Sequence, residues 1–162
     1  MRSIRATAPG RAGIIGNPTD GYGGSLVSCS IAERATATIV PADQLILVNK
    51  TGQKVLKWEN DFANQGDYFY IVRSVLRYFK LYDLKAKITT ETTIPEQAGL
   101  AGSTAVIAAV LAAVSTYIGK NYNRYFLAEL NRTIELNYMK CQCGYQDAYM
   151  TSTEQWKTLL SM

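Results

Sequence analysis

An α+β domain is what this sequence predicts, and three observations carry the prediction. The periodicities run strands first, then helix, strand, helix and helix, an order that favours a layered α+β fold over a doubly wound sheet. The chain has 162 residues, 48% apolar and 19% charged, which is globular composition with room for one core. A glycine-rich loop then runs directly into an apolar Ala/Val/Ile run, and this stretch, Ile94 to Val114, is the part around which the rest of the chain is arranged.

Taken in order, Ser3 to Ala8 alternates as a short strand that ends at Pro9-Gly10. Pro9 to Gly24, PGRAGIIGNPTDGYGG, holds six glycines and two prolines and reads as a loop of special backbone geometry. Ser25 to Ile31 and Arg34 to Val40 read as two strands, the second with Thr36 and Thr38 on one face and Ala35, Ala37 and Ile39 on the other. Leu45–Asn49 and Lys54–Trp58 form a hairpin around Thr51-Gly52, and Asn60 to Asp67 is a polar linker. Phe69, Val72, Val75, Leu76 and Phe79 mark a helix over Tyr68 to Leu81. Ala86 to Thr93, rich in β-branched residues, is a strand that leads into the central loop. Helices are expected at Ser103–Ile118 and Arg124–Met139, the second with Leu127, Leu130, Ile134 and Tyr138 on one stripe. A compact turn, CQCGYQDAYM, follows.

Composition narrows the chemistry. With no histidine in the chain, Ser-His-Asp and Cys-His catalysis are excluded. Three cysteines give no even-numbered disulfide framework and no signal-peptide pattern precedes them, so a cytoplasmic location is expected. Cys141-x-Cys143 has no second pair to complete a structural zinc site. A net charge of +4, scattered along the chain, admits an anionic ligand without suggesting a nucleic-acid groove. Ala98 to Ile118 carries no charge, yet its Gly/Ala/Ser start and alanine content fit a buried helix better than a membrane span.

The central loop is the first candidate site. Gly99, Ala101 and Gly102 lead to Ser103-Thr104, where a hydroxyl could cap the helix and where free amides and the helix dipole would favour phosphate. No Gly-Lys-Ser/Thr follows the glycines, so the loop is not a Walker A sequence, and an ordinary tight turn remains open. Arg11 and Asp20 share the first loop, where they could form a turn salt bridge. Glu135 could be a solvated or Arg132-paired carboxylate, and Asp147 could be a plain turn residue.

Together these stretches resemble the GHMP kinases. Pro95-Glu-Gln-Ala-Gly99-Leu100-Ala101-Gly102-Ser103-Thr104-Ala105 is similar to the P-x-x-x-G-L-x-S/G-S-S/T-A signature of that family. PGRAGIIGNPTDGYGG resembles its PGR-x-x-x-x-G-x-x-T-D-x-x-x-G loop, and Glu135 and Asp147, with Gly144 three before the aspartate, resemble its E…G-x-x-D stretch. The likeness covers about residues 3 to 150, and the wording GNPTDGYGG and GLAGSTAVIAA looks most like glucuronokinase and its relatives. Galactokinases carry Glu-His where this chain has Asn17-Pro18.

The resemblance implies a ribosomal protein S5 domain 2-like fold, a mixed or antiparallel sheet with helices packed on it. It implies ATP-dependent transfer of the γ-phosphate to a hydroxyl of a monosaccharide or sugar acid, with Mg²⁺. Pro95, Gly99, Leu100, Ala101, Gly102, Ser103 and Thr104 would bind nucleotide; Ser103 and Glu135 would hold the metal; Asp147 would orient or deprotonate the hydroxyl. Arg11 would pair with Asp147 and stabilise phosphoryl charge, and Asn17, Asp20 and Tyr22 would bind substrate. Residues 1–150 would be the family's N-terminal domain, with 151–162 an atypical tail and the family's C-terminal domain absent. Partners would be ATP and a sugar, with association to a missing C-terminal domain or self-association, and neither nucleic acid nor membrane. The competing expectation is a non-catalytic ligand-binding or regulatory module on the same fold.

Overall fold

A computed structural model describes residues 3–153 and 159–161. Strands β1 (Ser3–Ile15), β2 (Val27–Pro41), β3 (Leu45–Asn49), β4 (Gly52–Leu56), β5 (Ala86–Thr92) and β6 (Leu159–Ser161) form one sheet in the order β4-β3-β5-β2-β1-β6. Every neighbouring pair is antiparallel except β3 and β5, which run parallel. This is the mixed sheet and α+β class that the sequence predicts. Helices α1 (Tyr70–Phe79), α2 (Gly102–Tyr117), α3 (Arg124–Ile134) and α4 (Gln146–Thr153) complete the fold.

The centre of the core is α2, which lies across β1 and β2 and touches α1, α3 and α4 on its other sides. A helix enclosed on all sides must be apolar all round, and Ile107 through Val114 is a run of buried Ala, Val, Ile and Leu. The strand faces beneath it carry Ala6, Ala8, Ala35 and Ala37, all buried. Small residues on both partners let helix and sheet approach closely, and that proximity fixes the start of α2 relative to the end of β1. No helix among the described residues is long and apolar enough to cross a membrane.

Beyond shifts of about two residues at element ends, such as β4 at Gly52–Leu56 where Lys54–Trp58 is expected, four features differ from the sequence expectation. The first loop does not begin at Pro9, because β1 continues to Ile15 with register shifts between Pro9 and Arg11 and between Gly13 and Ile15. β-Bulges absorb Pro and Gly within a paired strand. The same shift places Arg11 opposite Ser30 while Pro9 faces Arg34, so the extra β2 residues lie in the bulge, and the two strands expected there are one. The helix expected to reach Met139 is α-helical only to Ile134 and widens into a π turn over Glu135–Met139. CQCGYQDAYM is not a plain turn, since α4 begins inside it, at Gln146, and continues past residue 150 to Thr153. The remainder of the expected tail includes β6, which pairs with β1 at Ser3 to Arg5; residues 154–158 and 162 lie outside the described residues.

Candidate active site

The bulge in β1 aims Arg11 at the central loop. Its backbone N–H donates to the Leu100 carbonyl at 3.1 Å, and its Nη1 donates to the Gly99 carbonyl at 2.7 Å. Gly10, beside it, has the Leu100 oxygen only 2.9 Å from where a Cβ would stand, so a side chain there would push the loop away. The loop itself is built from left-handed residues, Gln97, Gly99 and Ala101, with φ of 56°, 68° and 57°. That geometry turns the chain sharply into α2.

Ser103 is not the helix cap. The capping position is Ala101, which has no side-chain acceptor to offer, and α2 begins at Gly102. No acceptor among the described residues meets the amides of Gly102, Ser103 and Thr104. Three unpaired amides at the positive end of a 16-residue helix form a phosphate-sized anion site. Gly102 and Ser103 line a cleft of about 460 Å³ together with Pro95 through Ala101, Arg11 and Asp147. Thr104, expected to join this lining, faces the other way: one residue on, the helix has turned its side chain inward.

There the Thr104 hydroxyl donates to Glu135 Oε1 at 2.6 Å, and Asn131, one turn earlier on α3, donates to the Thr104 carbonyl at 3.1 Å. Glu135 is therefore not a solvated surface carboxylate; it is 4% exposed. Burial pushes its carboxyl above the ordinary range, against the downward pull of hydrogen bonds from Thr104 and Cys143, while the Asp147 charge adds to the rise. The Cys143 thiol is pushed up to about 12, chiefly by burial and then by the adjacent Glu135. Glu135 Oε2 is buried and has no hydrogen-bond partner among the described residues. A buried, orphaned carboxylate oxygen near a second carboxylate and beside an anion site fits a hard cation. Mg²⁺ takes few protein ligands and several waters; among the described residues no group of three or more His, Cys, Asp or Glu side chains could hold a metal ion.

Asp147 sits in the first turn of α4 and accepts from Arg11 Nε at 2.6 Å, with Nη2 at 2.5 Å from the same oxygen. Arg11 thus pairs across 136 positions with Asp147, not with Asp20 in its own loop. Asp20 does something else: its Oδ2 accepts from the Gln146 backbone N–H at 2.9 Å, capping α4 from a distant part of the chain. A Cβ on Gly144 would stand 2.0 Å from that oxygen, so Gly144 exists to let Asp20 dock. Asp20, Asn17, Tyr22, Arg11 and Asp147 line a second cleft of about 440 Å³. Tyr22 is 90% exposed and projects from its rim.

The two clefts share Arg11 and Asp147. A model of the GHMP kinases N-terminal domain matches residues 68–154, more than half of the chain. The chain belongs to the GHMP kinases. This GHMP kinase domain is 26% identical over 153 residues to galactokinase of Thermosipho africanus, covering 92% of this chain and 43% of that one. It is 24% identical to probable glucuronokinase 2 of Arabidopsis thaliana, covering 80% of this chain and 40% of that protein. Its fold matches the crystal structure of a D-glycero-D-manno-heptose 1-phosphate kinase from Bacteroides thetaiotaomicron with a TM-score of 0.81 and 19% identity, over 98% of this chain and 59% of that one. The domain therefore spans less than half the length of these two curated relatives.

Sequence reasoning missed one wall of the central-loop cleft in this GHMP kinase domain. An apolar recess of about 360 Å³ continues from the loop cleft through Tyr68, Ile71 and Val106 to Val48 and Lys50. Lys50 pairs with Glu96 and lies 5.7 Å from the centre of the Tyr68 ring. These residues come from a hairpin turn, the approach to α1 and the loop before α2, so no local pattern joins them. Gln146, 5% exposed on the wall of the second cleft, was missed as well.

Proposed function

We propose that the domain binds ATP in the cleft of the central loop and supports transfer of its γ-phosphate to a hydroxyl of a monosaccharide or sugar acid in the second cleft. The single observation that supports this most is the Arg11–Asp147 pair, which lines both clefts and so stands where two ligands would meet. Phosphoryl transfer asks for in-line placement and charge neutralisation more than for covalent chemistry. The amides of Gly102, Ser103 and Thr104 would receive phosphate oxygens, and the recess beside Tyr68 would take the base.

Asp147 would accept a hydrogen bond from the acceptor hydroxyl and align its oxygen with the γ-phosphorus. As the new O–P bond forms, the bond to the β,γ-bridging oxygen breaks and ADP leaves; the hydroxyl proton passes to Asp147 and then to water. Arg11 would hold the Asp147 carboxylate in position and offer its remaining N–H groups to the transferring phosphoryl. Glu135, through its unpartnered oxygen, and Ser103 would hold Mg²⁺, which when bound neutralises phosphate charge. Asn17, Asp20 and Tyr22 would contact the acceptor. The glucuronokinase-like wording of the first loop keeps sugar acids among the acceptors.

The test is ATP consumption by the full-length protein against neutral hexoses, uronic acids, mevalonate and homoserine. Turnover of a sugar or sugar acid is expected. Turnover of mevalonate or homoserine alone would contradict the proposal, and nucleotide binding without turnover of any acceptor would favour a binding module.

A further inference from the structure

We infer that Gln146 is a specificity-determining residue of the second cleft, and that this cleft selects a neutral, polyhydroxylated acceptor over an anionic one. The inference rests on the kinase reading above and narrows it. Gln146 is 5% exposed, lines the cleft beside Asp147, and its Nε2 is buried without a hydrogen-bond partner among the described residues. Its backbone is fixed by the Asp20 cap, so the side chain has a set origin. The amide lies over Gly13, 3.2 Å from where a Cβ would stand, with Asn17 beside it.

A buried, unsatisfied amide donor is costly, and in a native fold it calls for a ligand or a water to accept from it. The terminal torsion of Gln is broad, so a small rotation turns Nε2 from the wall into the cleft. There the partner it offers suits an oxygen acceptor such as a hydroxyl. The charge of the cleft then decides which oxygen. Its one cation among the described lining residues is Arg11, already engaged by Asp147 and Gly99. Asp20 and Asp147 are acidic, and Asn17, Gln142 and Gln146 are uncharged amides. The nearby Arg132 guanidinium stacks on Tyr145 at 4.0 Å from its ring centre and does not line the cleft. A carboxylate or a phosphate on the acceptor would meet two carboxylates and, among the described lining residues, no cation other than the Asp147-paired Arg11, whereas the hydroxyls of a neutral sugar can both donate to the acids and accept from the amides.

The experiment measures kcat and KM of the full-length enzyme for a panel of neutral aldohexoses, the matching uronic acids and the matching 6-phosphates, in the wild type, Gln146→Leu and Gln146→Glu. The expected result is preference for a neutral sugar by about 100-fold or more in kcat/KM. Both variants should raise the KM for that sugar about tenfold while the KM for ATP and kcat stay within about twofold. A merely structural role would move all three constants together. Preference for a uronic acid or a sugar phosphate overturns the inference and leaves the kinase reading standing. A sugar KM that neither variant changes removes Gln146 from specificity. Absence of phosphoryl transfer to every acceptor overturns both.

Discussion

Arg11 joins Asp147 to the Gly99 carbonyl: one guanidinium donates to both, through Nε at 2.6 Å and Nη1 at 2.7 Å. It thereby ties the start of α4 to the loop before α2, which are otherwise on different elements. A lysine has a single point charge and cannot span both acceptors. Arg11→Lys in the full-length enzyme should therefore lower kcat by about 10- to 100-fold. Nucleotide KM should rise less, because the loop amides remain. Steady-state kinetics at saturating ATP separates the two effects.

Gly144 should tolerate no side chain. With Asp20 Oδ2 at 2.0 Å from a built Cβ, Gly144→Ala must displace the carboxylate that caps α4. Loss of a cap combined with local overpacking costs about 1–3 kcal/mol. For a protein of this size each kcal/mol lowers Tm by about 2–4 °C. Thermal unfolding of the variant reads this directly, and an unchanged Tm would show that Asp20 does not hold α4.

Gly99→Ala isolates backbone geometry. Nothing lies within 4 Å of an added Cβ, but φ is 68°. The cost should be about 1–2 kcal/mol, from the left-handed conformation alone. Relaxation of the loop to a right-handed conformation would misplace the amides of α2, so the KM for ATP should rise while the sugar KM stays. Calorimetric titration with ATP checks the first half and acceptor kinetics the second.

Glu135 makes stability depend on pH. Its carboxyl is raised in the folded state, chiefly by burial, so the folded protein binds the proton more tightly than the unfolded chain does. That contribution favours folding at low pH and is lost as pH rises from the ordinary carboxylate range, about 4, through the raised value. Above it the ionised, buried group is a net cost. Glu135→Gln keeps an acceptor for Thr104 and removes the charge. The variant should melt above the wild type at neutral pH, with the gap closing toward pH of about 4. Mg²⁺ with ATP should reverse the order by stabilising the wild type more. Melting curves across pH, with and without Mg²⁺ and ATP, test both signs.

Much of this site could be read from the chain because its pieces are local. The loop from Pro95 to Ser103 is contiguous, and its glycines and following apolar run announce a turn into a buried helix. The strand alternation at Ala35, Ala37 and Ile39 likewise fixed which face meets that helix. What could not be read depends on distant contacts. The bulge that keeps Pro9 and Gly10 inside β1 is set by pairing with β2. Helix α4 is short and weakly patterned, and its cap comes from Asp20, 126 positions away. Ser103 had the right chemistry for a cap, yet Ala101 took the position because the left-handed turn falls two positions earlier. Glu135 and Thr104 meet only because α2 and α3 pack, so the hydroxyl facing the carboxylate could not be chosen from sequence spacing.

The central claim is that Asp147 aligns the acceptor hydroxyl at the junction of the two clefts, and the most direct test is the turnover of Asp147→Asn in the full-length enzyme. Asparagine keeps the size and an oxygen acceptor for Arg11 but removes the charge. A loose transition state needs the hydroxyl aligned and its proton taken late, so kcat should fall about 10²- to 10⁴-fold while the KM for ATP changes by no more than about threefold. A variant that turns over at close to the wild-type rate would place the base elsewhere and contradict the account.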